Sequence, residues 1–146
     1  VYDRELPTIT VNTNTILEYM PKAGFTITGT AADSYLLGGT TEGTACITVY
    51  EYKKADKQDN WPTTETQKQT FSVTSLNNHS GTISVKVPLN NATPSDGLYK
   101  YTFEVTDSLG NKGTWKSSDQ GIIYDETAPK ITITTPAGPI FFWTPP

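Results

Sequence analysis

Short runs of this chain alternate apolar and polar residues with period two, an apolar run closes the series as a seventh strand, and no stretch carries the 3.6-residue period of a long amphipathic helix. The runs are residues 7–11 (PTITV), 25–31 (FTITGTA), 45–52 (ACITVYEY), 69–74 (QTFSVT), 82–87 (TISVKV), 99–106 (YKYTFEVT) and 121–124 (GIIY). Successive side chains of a strand point to opposite faces, so each run has one face to bury. The pattern predicts an all-β fold, an antiparallel β-sandwich of about seven strands packed face to face. Phe25, Ile27, Gly29 and Ala31 share one face. Ile47 and Val49 point inward, leaving Cys46, Thr48 and Tyr50 on the other side. Ile83, Val85 and Val87 face the core, as do Tyr99, Tyr101, Phe103 and Val105. Burying each aromatic residue of the 99–106 strand contributes about 1.5–3 kcal/mol by area.

Residues rich in Asn, Asp, Gly and Ser separate the runs at 76–81 (LNNHSG), 90–97 (NNATPSDG) and 107–113 (DSLGNKG), as turns require. Two longer connections, 33–44 and 53–67, carry little pattern; the second is polar except for Trp61.

The first thirteen residues recur near the other end. VYDRELPTITVNT at 1–13 aligns with IYDETAPKITITT at 123–135, with Tyr2, Asp3, Pro7, Ile9, Thr10 and Thr13 on Tyr124, Asp125, Pro129, Ile131, Thr132 and Thr135. A domain-sized period signals an array of similar units. The expected organisation is one module over residues 1–125, then a linker and the truncated start of a following repeat over 126–146. Residues 125–129 (DETAP) form the junction, because Pro129 stiffens the join and favours an extended residue before it. Residues 130–135 (KITITT) are expected to be an incoming strand with no partner inside this chain. The apolar IFFW run at 140–143 lies between prolines, in the next repeat or beyond it.

Composition narrows the function. Eleven Lys and Arg against fifteen Asp and Glu give a net charge of −4, and no basic stripe of a nucleic-acid binder is visible. No run approaches the roughly 18 apolar residues that span a bilayer. Cys46 is the sole cysteine, which excludes an internal disulfide framework. His79, the single histidine, sits in an Asn-Ser-Gly turn. With no nucleophile elbow, phosphate-cradling loop or His-rich metal spacing, the chain reads as non-enzymatic.

Two segments carry a family resemblance. GLYKYTFEVTDSLGNKG at 97–113 and the junction within 122–136 resemble bacterial immunoglobulin-like repeats, in which an alternating strand ends in a tD-x-x-GN hairpin and the module closes with D-x-x-aP-x-i-x-i. The resemblance covers roughly a quarter of the chain. It implies an immunoglobulin-like sandwich of a secreted or surface-anchored bacterial protein, acting as a spacer or adhesion module. Its partners would be adjacent repeats in the same chain, and a host or cell-surface protein or glycan. Asp96-Gly97-Leu98-Tyr99 resembles the tyrosine corner of such sandwiches, in which a Tyr hydroxyl bonds the backbone just upstream. The chain departs from antibody domains in having no strand-B cysteine and no strand-C Trp.

Two kinds of site are candidates. Asp107 and Asn111 in the hairpin, with Asp125, Asp3 and Glu126 at the junctions, are oxygen ligands of the kind calcium takes, and some bacterial immunoglobulin-like adhesins are stiffened by calcium. The plainer reading is that Asp107 and Asn111 close an Asx-type turn and Asp125 caps a linker. Trp61 and Trp115 are candidate stacking residues for sugar rings, which would make the chain a carbohydrate-binding module; the plainer reading makes each a lid over the sandwich edge.

Overall fold

A computed structural model of the chain describes residues 2, 4–34, 46–55, 58–72, 79–107, 109–135, 138–139 and 143–146. Eight strands follow in order: β1 Thr8–Val11, β2 Phe25–Ala32, β3 Cys46–Lys54, β4 Gln67–Ser72, β5 Ser80–Val87, β6 Gly97–Thr106, β7 Lys112–Lys116 and β8 Ile122–Tyr124. β1, β2 and β5 make one sheet in that order. The second runs β4-β3-β6-β7, and β8 also pairs with β6. Every pairing between these strands is antiparallel. The all-β sandwich is the architecture the alternation predicts, and the inward residues meet between the sheets. Ile27, Ile47, Val49, Val85, Val87, Tyr101, Phe103 and Val105 are fully buried.

The strand beyond the expected seven is β7. Its sequence KGTWK begins and ends on lysine and places a glycine inward, so it reads as a continuation of the turn before it. The glycine is there because another backbone lies against it. A Cβ on Gly113 would meet the Pro7 carbonyl oxygen at 1.8 Å, and one on Gly29 would meet that of Thr10 at 2.4 Å. These two notches let β1 settle between β2 and the edge of the second sheet. β7 pairs with the far half of β6, opposite Thr102 to Thr106, and β8 with its near end, opposite Gly97 to Tyr99. Between them Ser117 steps out of the ladder: its hydroxyl accepts from Tyr101 N–H and its own N–H bonds the Tyr101 carbonyl, both at 2.9 Å.

β4 begins two residues before the expected 69, as its pairing with β3 sets Glu51 opposite Gln67 and Cys46 opposite Ser72, and residues 73–74 of the expected run lie outside the described residues. Cys46, on the face turned away from the core, is exposed. The expected turn at 76–81 is described from His79 on, and the long connection 33–44 only to Ser34; the rest of both, and residues 140–142 of the IFFW run, lie outside the described residues.

The chain enters and leaves at opposite ends. Pro7 packs against Gly113, which faces Val105 at the far end of β6. Tyr124 faces Gly97 at the near end. Eight residues of β6 separate the two places, about 26 Å at the rise of an antiparallel strand.

Candidate functional site

The exit end is built to hold the departing chain. β8 is gripped on both sides: β6 pairs with it antiparallel, and residues 18–20 run alongside in parallel, with Met20 N–H to Ile123 O at 2.7 Å and Ile123 N–H to Glu18 O at 2.9 Å. Beyond it, Asp96 takes the linker. Its carboxylate accepts from the Glu126 N–H at 2.7 Å and from the Thr127 hydroxyl. The Thr127 and Glu126 bonds hold the Asp96 carboxyl below the usual carboxylate range. Lys22 Nζ meets Glu126 at 2.5 Å, and the Tyr124 hydroxyl donates to the same carboxylate at 3.1 Å. Lys22 and Tyr124 together pull the Glu126 carboxyl down, and Glu126 pushes the Lys22 ammonium up. The charged groups Asp96, Lys22 and Glu126 are solvent-exposed, so they orient the linker more than they stabilise the fold. A cleft of about 590 Å³ opens beside it, lined by Asp96, Leu98, Ile123, Asp125 and Thr127.

The tyrosine corner expected at Tyr99 is present. Its hydroxyl donates to the Ser95 carbonyl and accepts from the Ser95 N–H, both at 3.0 Å, tying the loop before β6 to the strand it enters.

The calcium candidates do not converge. Asp107 and Asn111 sit in the β6–β7 hairpin at the entry end, whereas Asp125 follows β8 at the exit end. Asp107 is buried and occupied by its own turn, accepting from the Leu109 and Asn111 N–H groups at 2.8 Å and from the Asn111 side-chain amide at 2.7 Å. Burial pushes the carboxyl up, but those bonds outweigh it and hold it below the usual range. Asp125 accepts from the Thr127 N–H at 2.9 Å, as a linker cap does. Glu126 belongs to the exit clasp, and Asp3 lies outside the described residues. Among the described residues no group of three or more His, Cys, Asp and Glu is placed to hold a metal ion.

The two Trp candidates lie on opposite faces of the second sheet. Trp115 points inward at its edge, half-buried, with its ring edge-on to Phe103 at 5.2 Å. Trp61 lies on the outer face over Gly121, donating from Nε1 to the Asp119 carbonyl at 3.0 Å, with the Lys54 and Lys100 ammonium groups 5.0 and 4.9 Å from its ring centre. No shared platform forms from this pair. The same outer face does carry an aromatic-floored cleft of about 400 Å³ lined by Tyr50, Tyr52, Pro62, Glu65, Lys100 and Glu104. Burial, then the Glu65 charge, raises the Tyr52 phenol. His79 is exposed in its turn.

Glu51 is a residue the alternation reading passed over. It follows Ile47 and Val49 on the inward face of β3 and is 2% exposed. One carboxylate oxygen accepts from the Leu89 N–H and the Tyr101 hydroxyl, each at 2.9 Å. The signal was in the sequence: in ITVYE the period-two face that holds Ile47 and Val49 continues to Glu51, and Tyr101 stands opposite in β6. Burial raises the Glu51 carboxyl and, with Glu51 beside it, raises the Tyr101 phenol strongly.

The duplicated segment is used differently at its two occurrences. In the first copy Ile9 and Val11 are core residues, 9% and 8% exposed, while Tyr2 is 75% exposed. In the second copy Tyr124 is buried at 4%, while Ile131 and Ile133 are 84% and 85% exposed. Among the described residues, the positions that one copy buries are left in solvent by the other. Comparison with known protein families, with curated proteins and with solved structures finds no match. Among the described residues no helix is long and apolar enough to cross a membrane.

Proposed function

We propose that this chain is a non-enzymatic spacer or adhesion bead from a tandem array of bacterial immunoglobulin-like modules on a secreted or surface-anchored protein. The complementary burial of the two copies carries the reading. A segment whose first half closes one body and whose second half opens the next is what a junction in an array looks like, and this chain contains that junction twice. The opposed entry and exit ends fit a mechanical role. Tension applied at Pro7 and at Asp125 slides β1 along β2 and β8 along β6, loading many ladder bonds together instead of one at a time. The clasp on Asp96 sets the direction in which the next bead is held.

The test is to pull the chain between residues near its two ends in a single-molecule force experiment. The expected trace is one cooperative unfolding event with a length gain of about 370 Å, from the extended reach of residues 8–124 less the folded span. Gradual peeling at low force from either terminus would overturn the mechanical reading.

The outer-face cleft favours a second reading, a carbohydrate-binding module, in which Tyr50 and Tyr52 form the floor and Glu65, Lys100 and Glu104 supply polar contacts. A glycan array separates the two: binding to a defined polysaccharide that is lost in Y52A supports the second, and no binding leaves the spacer.

A further inference from the structure

The second copy of the duplicated segment matches a slot that is already visible in this body. β1 reads PTITVNT from Pro7, and the tail reads PKITITT from Pro129. The slot asks for four things. It needs a proline where the strand begins beside Gly113, with no ladder donor required there. It needs aliphatic side chains at the Ile9 and Val11 positions, facing the core, and a small β-branched residue between them facing solvent. It needs an extended backbone against the Gly29 and Gly113 notches. Pro129, Ile131, Ile133 and Thr132 meet all of these, and Lys130 replaces the exposed Thr8.

The tail cannot fill the slot of its own body. β1 runs from the entry end toward the exit end, so Pro129 would have to stand where Pro7 stands. The four residue steps from Asp125 to Pro129 reach at most about 14 Å, against the roughly 26 Å between the two ends. The slot is also occupied by β1.

We propose that residues 129–135 are a donor strand that completes the β1 position of a second copy of this fold, by pairing with its β2 and burying Ile131 and Ile133 where Ile9 and Val11 lie here. The proposal rests on the array reading. It makes the occupant specific: a body of the same fold with its β1 position open, rather than any apolar surface.

The experiment uses the full chain with I9D/V11D, which ejects β1 and opens the slot. Sedimentation should show a monomer for the parent chain, end-to-end oligomers for I9D/V11D, and monomer again when I131D/I133D is added. A synthetic peptide of residues 127–136 should restore a cooperative melt to I9D/V11D/I131D/I133D, whether or not that variant folds unaided, and its Asp-substituted counterpart should not. Failure of the wild-type peptide to raise or restore the melt at millimolar concentration overturns the proposal, as does oligomerisation of I9D/V11D that survives I131D/I133D. A chain that resists force as above but rejects the peptide would keep the array reading and remove only the donor strand.

Discussion

Replacing Glu51 tests the interior of this sandwich most sharply. In Glu51→Ala the Leu89 N–H and the Tyr101 hydroxyl lose the oxygen they share, 2.9 Å from each. A buried donor left unpaired costs about 1–3 kcal/mol, so the pair sets a loss of about 2–6 kcal/mol, nearer the lower end because a small crevice beside Glu51 and Thr66 lets water approach. At a few degrees per kcal/mol for a domain of this size, the melting temperature should fall by about 10 °C. Glu51→Gln keeps an oxygen that accepts twice and should stay within about 1 kcal/mol of the parent. The two variants differ further in pH dependence. Burial raises the folded carboxyl above its ordinary 4.5. A raised folded pKa means that the contribution of this group is fully present below the unfolded value and is lost as pH rises through the folded one. The parent chain should therefore lose stability relative to Glu51→Gln as pH climbs from about 4 toward neutrality. Urea denaturation of both proteins across that range, taken as a difference so that other carboxylates cancel, measures it. A parent that gains on Glu51→Gln with rising pH would refute the reasoning, because the carboxylate would then be stabilised in the fold instead of penalised by it.

Four further outcomes are expected. Ile9→Ala should cost about 2–4 kcal/mol as a buried large-to-small change, whereas Ile131→Ala, its counterpart in the duplicated segment, should move the melting temperature of the isolated chain by less than the experimental error; equal effects would mean that the tail packs on the body. Tyr99→Phe should cost about 1–2 kcal/mol, since the Ser95 N–H and carbonyl lose their shared hydroxyl, and hydrogen exchange at Ser95 should speed up. Asp107→Asn should lower stability at neutral pH and flatten its decline toward acid in urea denaturation: the folded carboxyl lies below its ordinary 3.8, so its contribution is present above that value and is lost as pH falls through the lowered one. Calcium at millimolar concentration should leave the parent melt in place, because Asp107 and Asn111 lie at the other end of the body from Asp125; a rise would place ligands at a junction between bodies.

Much of the candidate site could be read before any coordinates. Tyr99 was legible because its hydrogen bonds reach only four residues upstream, a contact that local sequence specifies. The Asp107–Asn111 turn was legible for the same reason. Glu51 was missed, because a charged residue on an inward face becomes reasonable only when its partner on the neighbouring strand is known, and Tyr101 lies fifty residues away. β7 was hidden by Gly113, whose lack of a side chain reflects the approach of Pro7 from the opposite end of the chain. Trp61 and Trp115 were both seen, but whether two aromatics share a platform depends on which face of a sheet each occupies. That follows from ladder register and not from the residues alone.

Period-two alternation by itself settled that the chain is β and which side of most strands is buried, because the pleat is a property of neighbouring residues. It also supplied the duplication, which is a fact about letters. The tertiary structure decided which part of each copy is buried. Ile9 and Ile131 stand in nearly the same sequence, yet one is in the core and the other in water. The difference is whether β2 and the Gly113 edge are within reach of the strand, and the span between entry and exit makes them so for only one of the two.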